Sequence, residues 1–194
     1  MRHKATLDSA YFEEIFASDE DPWDLGSSPY EAAKFEHSVR VLADRHYLAG
    51  FEIGCAQGDL TQKLAPLCDG LLAIDVSATA LTRAARRCES LLQVKFVEMG
   101  FPNVTPDQDR FDLIVLSEVA YYWDTGDLGR AACFLNRLML PGGRILLVHW
   151  TGDTDYPQSG DQAVEALWDL LKASLRVERE ERCKHYRLDL WCRE

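Results

Sequence analysis

Two neighbouring stretches decide the fold class of this chain. The first reads Phe51-Glu52-Ile53-Gly54-Cys55-Ala56-Gln57-Gly58-Asp59-Leu60-Thr61, and the second reads Leu71-Leu72-Ala73-Ile74-Asp75-Val76-Ser77. The first is an apolar strand that runs into a glycine-containing turn and then a helix, and the second is an apolar strand that ends in an acidic residue. This order predicts a nucleotide-type ligand site at the carboxyl edge of a parallel sheet.

The turn allows a ligand to approach the backbone closely. Gly54, Ala56 and Gly58 have small or absent side chains, and the two glycines tolerate positive φ. The helix that starts near Gly58 has free N–H groups at the turn. Asp75 lies where a carboxylate can accept hydrogen bonds from ribose hydroxyls.

The spacing of the glycines favours one cofactor over another. A dinucleotide site needs G-x-G-x-x-G, but the second and third positions counted from Gly54 hold Ala56 and Asp59. Asp59 would oppose a pyrophosphate, whereas S-adenosylmethionine has no phosphate and a cationic sulfonium. Glu52 also suits a ligand that carries an amino group. The sequence therefore favours S-adenosylmethionine, with S-adenosylhomocysteine as product, and an NAD-dependent oxidoreductase is a distant alternative.

Composition bounds the class of protein. The 194 residues suffice for one domain with a sizeable core, and we expect a single domain over residues 1–194. The net charge of −11 argues against a nucleic-acid binder. Arg83, Arg86 and Arg87 cluster on one predicted helix and are interpreted as a solvated helix face.

The cysteines and the apolar runs indicate the compartment. None of the six cysteines has C-x-x-C or zinc-like spacing, so we expect reduced thiols, no metal and a cytoplasmic protein. Residues 1–20 show no signal peptide, and no apolar run approaches membrane-spanning length. The expected partner is a small-molecule substrate, with no nucleic acid and no membrane; the oligomeric state is left open.

Strands alternate with helices along the chain, which predicts an α/β fold with a parallel sheet covered by helices on both faces. A helical segment occupies residues 1–47, and the core follows in 48–194. Pro141-Gly142-Gly143 is predicted to be the turn into a strand over 144–149. The last two strands, 175–183 and 185–191, are predicted to form an antiparallel pair at one edge of the sheet.

The residues just past the fourth and fifth strands are the candidates for chemistry, since ligands of open α/β sheets lie beyond the carboxyl ends of the strands. Glu118 can hold or orient an amine, and Tyr122 can pack on a ligand or simply in the core. His149 has a pKa suited to a general base, or it is a strand-end imidazole satisfied by a backbone group. The predicted catalytic residues are Glu118, His149 and Tyr122.

Two further segments flank the predicted site. The adenine is expected near Val76 and near Met99 and Gly100, after the second and third strands. The acidic loop with Asp153, Asp155 and Tyr156 either binds substrate hydroxyls or amines or is merely solvated.

The chain resembles class I S-adenosylmethionine-dependent methyltransferases over essentially its whole length. Four parts of the sequence carry this resemblance: the glycine turn, Asp75, the strand Phe111–Ser117 with Glu118, and Leu140-Pro141-Gly142-Gly143 with the strand after it. It implies a doubly wound, Rossmann-like, seven-stranded and mostly parallel sheet with an antiparallel C-terminal strand. Ala56 stands where many members have glycine.

A narrower resemblance is to the nodulation protein S family. Four stretches carry this resemblance: Asp21-Pro22-Trp23, Pro29-Tyr30-Glu31 before Lys34, Ser117-Glu118-Val119-Ala120-Tyr121-Tyr122, and His149-Trp150. It implies that the N-terminal segment caps the cofactor, and that an amino sugar at the non-reducing end of a chitooligosaccharide is N-methylated. Alternatively, Trp23 and Tyr30 of this segment are a hydrophobic staple for the first helix. The resulting cofactor-binding set is Trp23, Tyr30, Glu52, Gly54, Cys55, Ala56, Gly58, Asp75, Val76, Met99, Gly100, Ser117 and Glu118.

The predicted function is therefore methyl transfer from S-adenosylmethionine to the amine of an amino sugar, an oligosaccharide or a similar small molecule. One alternative is an O-methyltransferase that acts on a hydroxyl or carboxylate. Another, from a different class, is a non-catalytic domain that binds S-adenosylmethionine or regulates a partner.

Overall fold

A computed structural model describes residues 2–106 and 110–194. The described chain forms two compact units. The N-terminal unit is Asp8–Met99, and the C-terminal unit is the described part of Met1–Leu7 and Gly100–Glu194.

The N-terminal unit contains parallel strands and the helices that connect them. Its elements are α1 (Ser9–Ser18), α2 (Pro29–Leu42), β1 (Tyr47–Ile53), α3 (Asp59–Leu64), β2 (Cys68–Asp75), α4 (Ala78–Arg87) and β3 (Val94–Glu98). Strand β2 pairs in parallel with β1 and with β3, so that Ile53 lies opposite Ile74 and Asp75 opposite Glu98. The carboxyl ends of these strands therefore meet at one edge of the sheet.

Polar side chains cap three helices of this unit, α1, α2 and α4. The Asp8 carboxylate accepts a hydrogen bond from the Tyr11 N–H at 2.9 Å, and Ser28, followed by Pro29, caps α2. The Ser77 hydroxyl accepts from the Ala80 N–H at 3.0 Å and caps α4. Each cap satisfies an N–H group that has no partner within its helix.

The arginines of α4 are more than a solvated face. The Arg83 guanidinium donates to backbone carbonyls at the end of α1 and just after it. Arg87 donates to the Gln57 carbonyl at 2.9 Å and forms an ion pair with Asp59. Arg83 and Arg87 thus lie on a face that is at least partly exposed, as predicted, and in addition bind groups that are distant in sequence.

The C-terminal unit contains the remaining strands. Its elements are β4 (Phe111–Ser117), α5 (Thr125–Leu138), β5 (Met139–Trp150), α6 (Gly160–Leu171), β6 (Leu175–Arg182) and β7 (Tyr186–Arg193). Strands β4 and β5 are parallel, and β7 pairs antiparallel with both β5 and β6. The predicted antiparallel pair at the end of the chain is confirmed.

Strand β5 begins earlier than predicted. It starts at Met139, and the segment predicted as a turn forms an irregularity inside the strand, where the register jumps between Phe111 and Leu113. Gly142 has φ +71°, and a Cβ on Gly143 would lie 2.7 Å from the Leu140 carbonyl oxygen. The glycines thus accommodate a bulge that the apolar pattern alone does not reveal.

The strand order β3-β2-β1-β4-β5-β7-β6 gives a seven-stranded sheet, mostly parallel, with antiparallel C-terminal strands. This confirms the predicted fold class. Within residues 2–106 and 110–194, no helix is both long enough and apolar enough to cross a bilayer.

Candidate cofactor and acceptor sites

The glycine turn after β1 has a backbone that most side chains would strain. Gly54, Ala56 and Gly58 all have positive φ, at +74°, +48° and +84°. A Cβ on Gly58 would lie 3.1 Å from the Cα of Ala84, so glycine is needed there for close packing. Ala56 adopts the left-handed conformation despite its methyl group, which costs about 1–2 kcal/mol.

The turn is closed by the carboxylate of Asp75. One oxygen of this buried group accepts the Ala56 N–H at 2.9 Å, and the other accepts the Ser77 N–H at 2.9 Å. Burial raises the pKa of the Asp75 carboxyl, and hydrogen bonds from the backbone oppose this rise. Each carboxylate oxygen keeps a further lone pair that can accept a hydroxyl.

Glu52 is a buried carboxyl directly before the turn. Its side chain is 2% exposed, and its Oε2 has no hydrogen-bond partner among residues 2–106 and 110–194. Burial raises its pKa to about 8, against the effect of the Thr61 hydroxyl, and the Asp75 charge raises it further. Glu52 is therefore largely protonated at neutral pH.

The other predicted residues of this edge differ in accessibility. Cys55 is 4% exposed, and burial raises the pKa of its thiol, so it is not a reactive nucleophile. Val76 and Met99 are partly exposed, and the Met99 N–H donates to the Asp75 carbonyl at 2.9 Å. Val76 and Met99 thus lie next to Asp75, at the place predicted for the adenine. Gly100 begins the C-terminal unit and accepts the Val104 N–H.

Trp23 and Tyr30 lie in the segment predicted to cap the cofactor. Trp23 is 43% exposed, has φ +59° and contacts the Phe16 ring edge to face at 5.7 Å. Tyr30 lies in the first turn of α2, with the Lys34 ammonium 5.4 Å from its ring centre. Lys34 is buried and forms an ion pair with Glu31 at 2.9 Å.

Glu118 follows β4 in a strained backbone conformation. Its φ is +59°, and its N–H donates to the Val148 carbonyl at 2.8 Å. Its Oε2 accepts the Tyr121 hydroxyl at 2.7 Å and the Trp150 N–H at 2.8 Å. Strain of this kind persists where the surrounding structure holds a functional group in place. Ser117, the last residue of β4, is partly exposed.

Aromatic side chains surround this carboxylate. Tyr121 stacks on Tyr156 with ring centres 5.2 Å apart, and Tyr122 contacts both rings edge to face at 4.7 Å. Burial raises the pKa of Tyr121 and of Tyr122 well above the usual tyrosine value, and the Glu118 charge adds to both shifts. Both phenols therefore stay protonated and can donate hydrogen bonds.

His149 is fully buried at the end of β5. Its Nε2 accepts the Ala120 N–H at 3.0 Å, and its ring contacts the Tyr121 ring at 5.4 Å. The neutral imidazole therefore has its proton on Nδ1. This geometry matches the interpretation as a strand-end imidazole bound to a backbone group, and it holds the short helical turn at Ala120–Tyr122.

An open cleft lies next to the aromatic group. It measures about 440 Å³ and is lined by Arg2, Asp153, Thr154, Asp155 and Tyr156. The Thr154 Oγ1 is buried and has no hydrogen-bond partner in the described part of the chain. Asp155 is held through its carbonyl, which accepts the His3 N–H at 2.7 Å. The acidic loop is thus part of a defined cleft.

Comparison with known proteins decides the family. The model of the nodulation protein S (NodS) family matches residues 12–184. The chain belongs to the NodS family. Nodulation protein S of Rhizobium tropici is 34% identical over 129 residues, which are 66% of this chain and 54% of that protein. The chain spans about half the length of the curated relatives it matches.

Solved structures are similar over most of this NodS-family chain. N-methyltransferase NodS from Bradyrhizobium japonicum WM9, in complex with S-adenosyl-L-homocysteine, is 26% identical with a TM-score of 0.84, covering 95% of this chain and 97% of that one. A putative methyltransferase from Pseudomonas syringae is 31% identical with a TM-score of 0.70, covering 84% and 99%. The family resemblance predicted from the sequence is confirmed.

Within each unit the structure brings some of the predicted residues of this NodS-family protein together, whereas the ring contacts described for Trp23 and Tyr30 are with Phe16 and Lys34. The glycine turn meets Asp75, and Glu118 lies among Tyr122, His149 and their neighbours. Sequence reasoning missed Glu13, which binds the start of α4, and Thr6, which donates to Asp127 at 2.5 Å. Both contacts join residues far apart in the chain, and no local signal indicates them. No group of three or more His, Cys, Asp or Glu that could hold a metal occurs in the described ranges.

Proposed function

We propose that this NodS-family chain is an S-adenosylmethionine-dependent methyltransferase that acts on the amine of an amino sugar, an oligosaccharide or a similar small molecule. The observation that supports it most is the positive-φ turn closed by Asp75, in a chain of this family. The solved NodS relative is an N-methyltransferase bound to S-adenosyl-L-homocysteine.

The residues of the N-terminal unit fit such a cofactor. Asp75 accepts the ribose hydroxyls, Val76 and Met99 line the adenine, and the turn at Gly54–Gly58 lets the nucleoside approach the backbone. Glu52, although largely protonated, offers the carbonyl oxygen of its buried carboxyl as an acceptor to the amino group of the methionyl part. S-adenosylmethionine, when bound, supplies a methyl group on a cationic sulfonium. Trp23, Tyr30 and Cys55 of this unit remain predicted cofactor ligands, and so, from the sequence alone, do Gly100, Ser117 and Glu118.

The residues of the C-terminal unit fit an amine acceptor. An amine must lose its proton before it attacks, and a carboxylate that accepts its hydrogen bond orients the lone pair. Glu118 takes this role because two donors fix its Oε2 and so hold the carboxylate at the end of β4. Tyr122 packs against the acceptor, and His149 acts as a positioning residue through Ala120.

The cleft beside Tyr156 suits a polyhydroxylated acceptor. Asp153 and Asp155 accept hydroxyl or ammonium hydrogen bonds, Thr154 offers a hydroxyl, and Arg2 donates. Small-molecule sites combine apolar and aromatic walls with a few polar groups, and here Tyr156 supplies the aromatic wall. This composition supports a sugar more than an apolar metabolite.

The remaining predictions complete the proposal. Residues 1–194 form one domain, with residues 1–47 capping the cofactor. The protein acts in the cytoplasm on a small molecule and binds no nucleic acid.

The test has two stages. Calorimetry measures the binding of S-adenosylhomocysteine to the wild type and to Asp75→Asn; binding that the variant loses supports the cofactor site, and no binding to the wild type refutes it. Methyl transfer is then compared between chitooligosaccharides with a free non-reducing-end amine and their fully N-acetylated counterparts. Transfer to the free amine alone is expected. Transfer to both at similar rates would instead establish the O-methyltransferase alternative.

A further inference from the structure

Glu13 of α1 reaches the start of α4, which follows the predicted ribose carboxylate. Its Oε2 accepts the Ser77 hydroxyl at 2.6 Å and the Thr79 N–H at 3.3 Å, and its Oε1 accepts the Thr79 hydroxyl at 2.5 Å. These hydrogen bonds lower the pKa of Glu13. Glu13 is therefore ionised at neutral pH, and a negative charge at a helix N-terminus is favourable.

Ser77 connects Glu13 to Asp75. The Ser77 hydroxyl donates to Glu13 and accepts from the Ala80 N–H at 3.0 Å, so its rotamer is fixed from two sides. The Ser77 backbone N–H donates to Asp75 at 2.9 Å. Because Ser77 is fully buried, a change in its position moves the N–H that orients the Asp75 carboxylate.

A second contact fixes the C-terminal end of α1 on the same helix. Arg83 donates to the carbonyls of Phe16 at 2.7 Å, Asp19 at 2.8 Å and Glu20 at 3.1 Å. These carbonyls lie at the C-terminal end of α1, where a cation is favourable. Helix α1 is thus held to α4 by Glu13 near its middle and by the carbonyls at its C-terminal end that accept from Arg83, so Glu13 has little freedom to leave Ser77.

We propose that Glu13 is a positioning residue for the ribose of the cofactor, acting through Ser77 on the carboxylate of Asp75. The inference rests on the proposed role of Asp75 as the ribose ligand. It assigns α1 a part in cofactor selectivity, because Glu13 determines how well Asp75 meets the ribose hydroxyls.

The test compares ligands that differ only at the ribose. Calorimetry measures the binding of S-adenosylhomocysteine and of its 2′-deoxy and 3′-deoxy analogues to the wild type, Glu13→Ala and Glu13→Gln. The matched control is Glu14→Ala, which removes the same charge from the neighbouring, exposed position of α1. We expect Glu13→Ala to reduce the affinity for S-adenosylhomocysteine about tenfold, since one charged hydrogen bond between Asp75 and the ribose is misplaced.

The analogues separate positioning from a merely structural role. For a deoxy analogue, Glu13→Ala is expected to reduce the affinity by only about threefold or less, because the hydroxyl that Asp75 would bind is absent. Glu13→Gln, which keeps acceptor capacity for the hydroxyls of Ser77 and Thr79, is expected to recover part of the affinity. Equal losses for all three ligands, or no loss, would overturn the inference.

Measuring Asp75→Asn in the same experiment distinguishes a failure of this inference from a failure of the proposed function. If the wild type binds and Asp75→Asn does not, while Glu13→Ala binds like the wild type, only the inference about Glu13 fails. If the wild type itself does not bind the ligand, the proposed function fails. Should Glu13→Ala not fold, Glu13→Gln answers the same question by the same ligand comparison.

Discussion

The carboxylate of Glu118 accepts the hydroxyl of Tyr121 at 2.7 Å with the same oxygen that accepts the Trp150 N–H. One oxygen of the carboxylate is therefore held by two donors, and the direction of the other is fixed. Since Tyr121 is 5% exposed, this hydrogen bond lies largely out of water, where it is electrostatically stronger.

Glu118→Gln is expected to lower kcat by about 100-fold or more, because the amide keeps the size but loses the charge that orients an amine. Steady-state kinetics with a free-amine acceptor measures it. Tyr121→Phe is the matched control: it keeps the carboxylate but frees its rotamer, so a smaller loss, about tenfold, is expected. A Glu118→Gln enzyme with normal kcat would remove Glu118 from the chemistry.

His149→Gln is expected to keep most of the activity, whereas His149→Leu loses it. The Gln carbonyl oxygen can accept the Ala120 N–H in place of Nε2, and Leu leaves that buried donor unsatisfied at about 1–3 kcal/mol. The pH profile of kcat/KM checks the role further. If His149 were the general base, both variants would be equally inactive and the wild-type limb near the histidine pKa would vanish.

Glu52 makes stability depend on pH. The folded state keeps a proton on this carboxyl up to a pKa of about 8, while the unfolded chain releases it near the ordinary value of 4.5. Between these values the folded state binds more protons, so the stability of the wild type falls as pH rises.

Glu52→Gln cannot ionise and is expected to escape this fall, so its unfolding free energy relative to the wild type increases from pH 5.5 to 8.5, roughly the span of this titration. Denaturant unfolding at several pH values measures the difference. Glu14→Gln, at an exposed position of α1, is expected to show no trend. A constant difference for Glu52→Gln would mean that the folded-state pKa of Glu52 is ordinary.

Ala56→Gly is expected to stabilise the protein. Glycine relieves the left-handed strain at φ +48°, which stabilises the folded state by about 1–2 kcal/mol. Glycine also gives the unfolded chain more conformational entropy, which lowers the stability by about 0.5–1 kcal/mol. The net gain raises Tm by about 2 °C. The control is Ala33→Gly, at an exposed position within α2, which should instead lower Tm. A lower Tm for Ala56→Gly would contradict the claim that the backbone of Ala56 is strained.

Asp153→Asn and Asp155→Asn together are expected to raise KM for a sugar acceptor about tenfold with little change in kcat, because they remove binding that is equal in the ground and transition states. KM for the cofactor should stay constant. Asp169→Asn on α6, whose partner in an exposed ion pair is Lys172, controls for the loss of negative charge. Unchanged acceptor KM would place the acceptor elsewhere.

The strands, the glycine turn and Asp75 could be predicted because their signals are local. A continuous apolar run, a small residue at a tight turn and an acid at a strand end each lie within a few residues. Ala56 was the least visible part of the turn, since its positive φ comes from the tertiary fold rather than from its own preference.

The contacts of Glu13 and Arg83 could not be predicted from the sequence. Ser77 lies 64 residues after Glu13. A glutamate or an arginine on the polar face of a helix gives the same sequence pattern whether its side chain is solvated or bound to another element. His149 was readable as either a base or a backbone acceptor, and only the position of the Ala120 N–H distinguishes the two.

Trp23 has a practical consequence for experiments in solution. It is the sole tryptophan of Asp8–Met99, and at 43% exposed it is open to solvent, whereas Trp123 and Trp191 are 4% and 2% exposed. A collisional quencher such as acrylamide should therefore extinguish the emission of Trp23 before that of these two buried indoles. Once the partly exposed Trp150 and Trp168 are replaced by Phe, the change in quenching on adding a nucleoside gives an optical readout of the turn that precedes α2, without any attached dye.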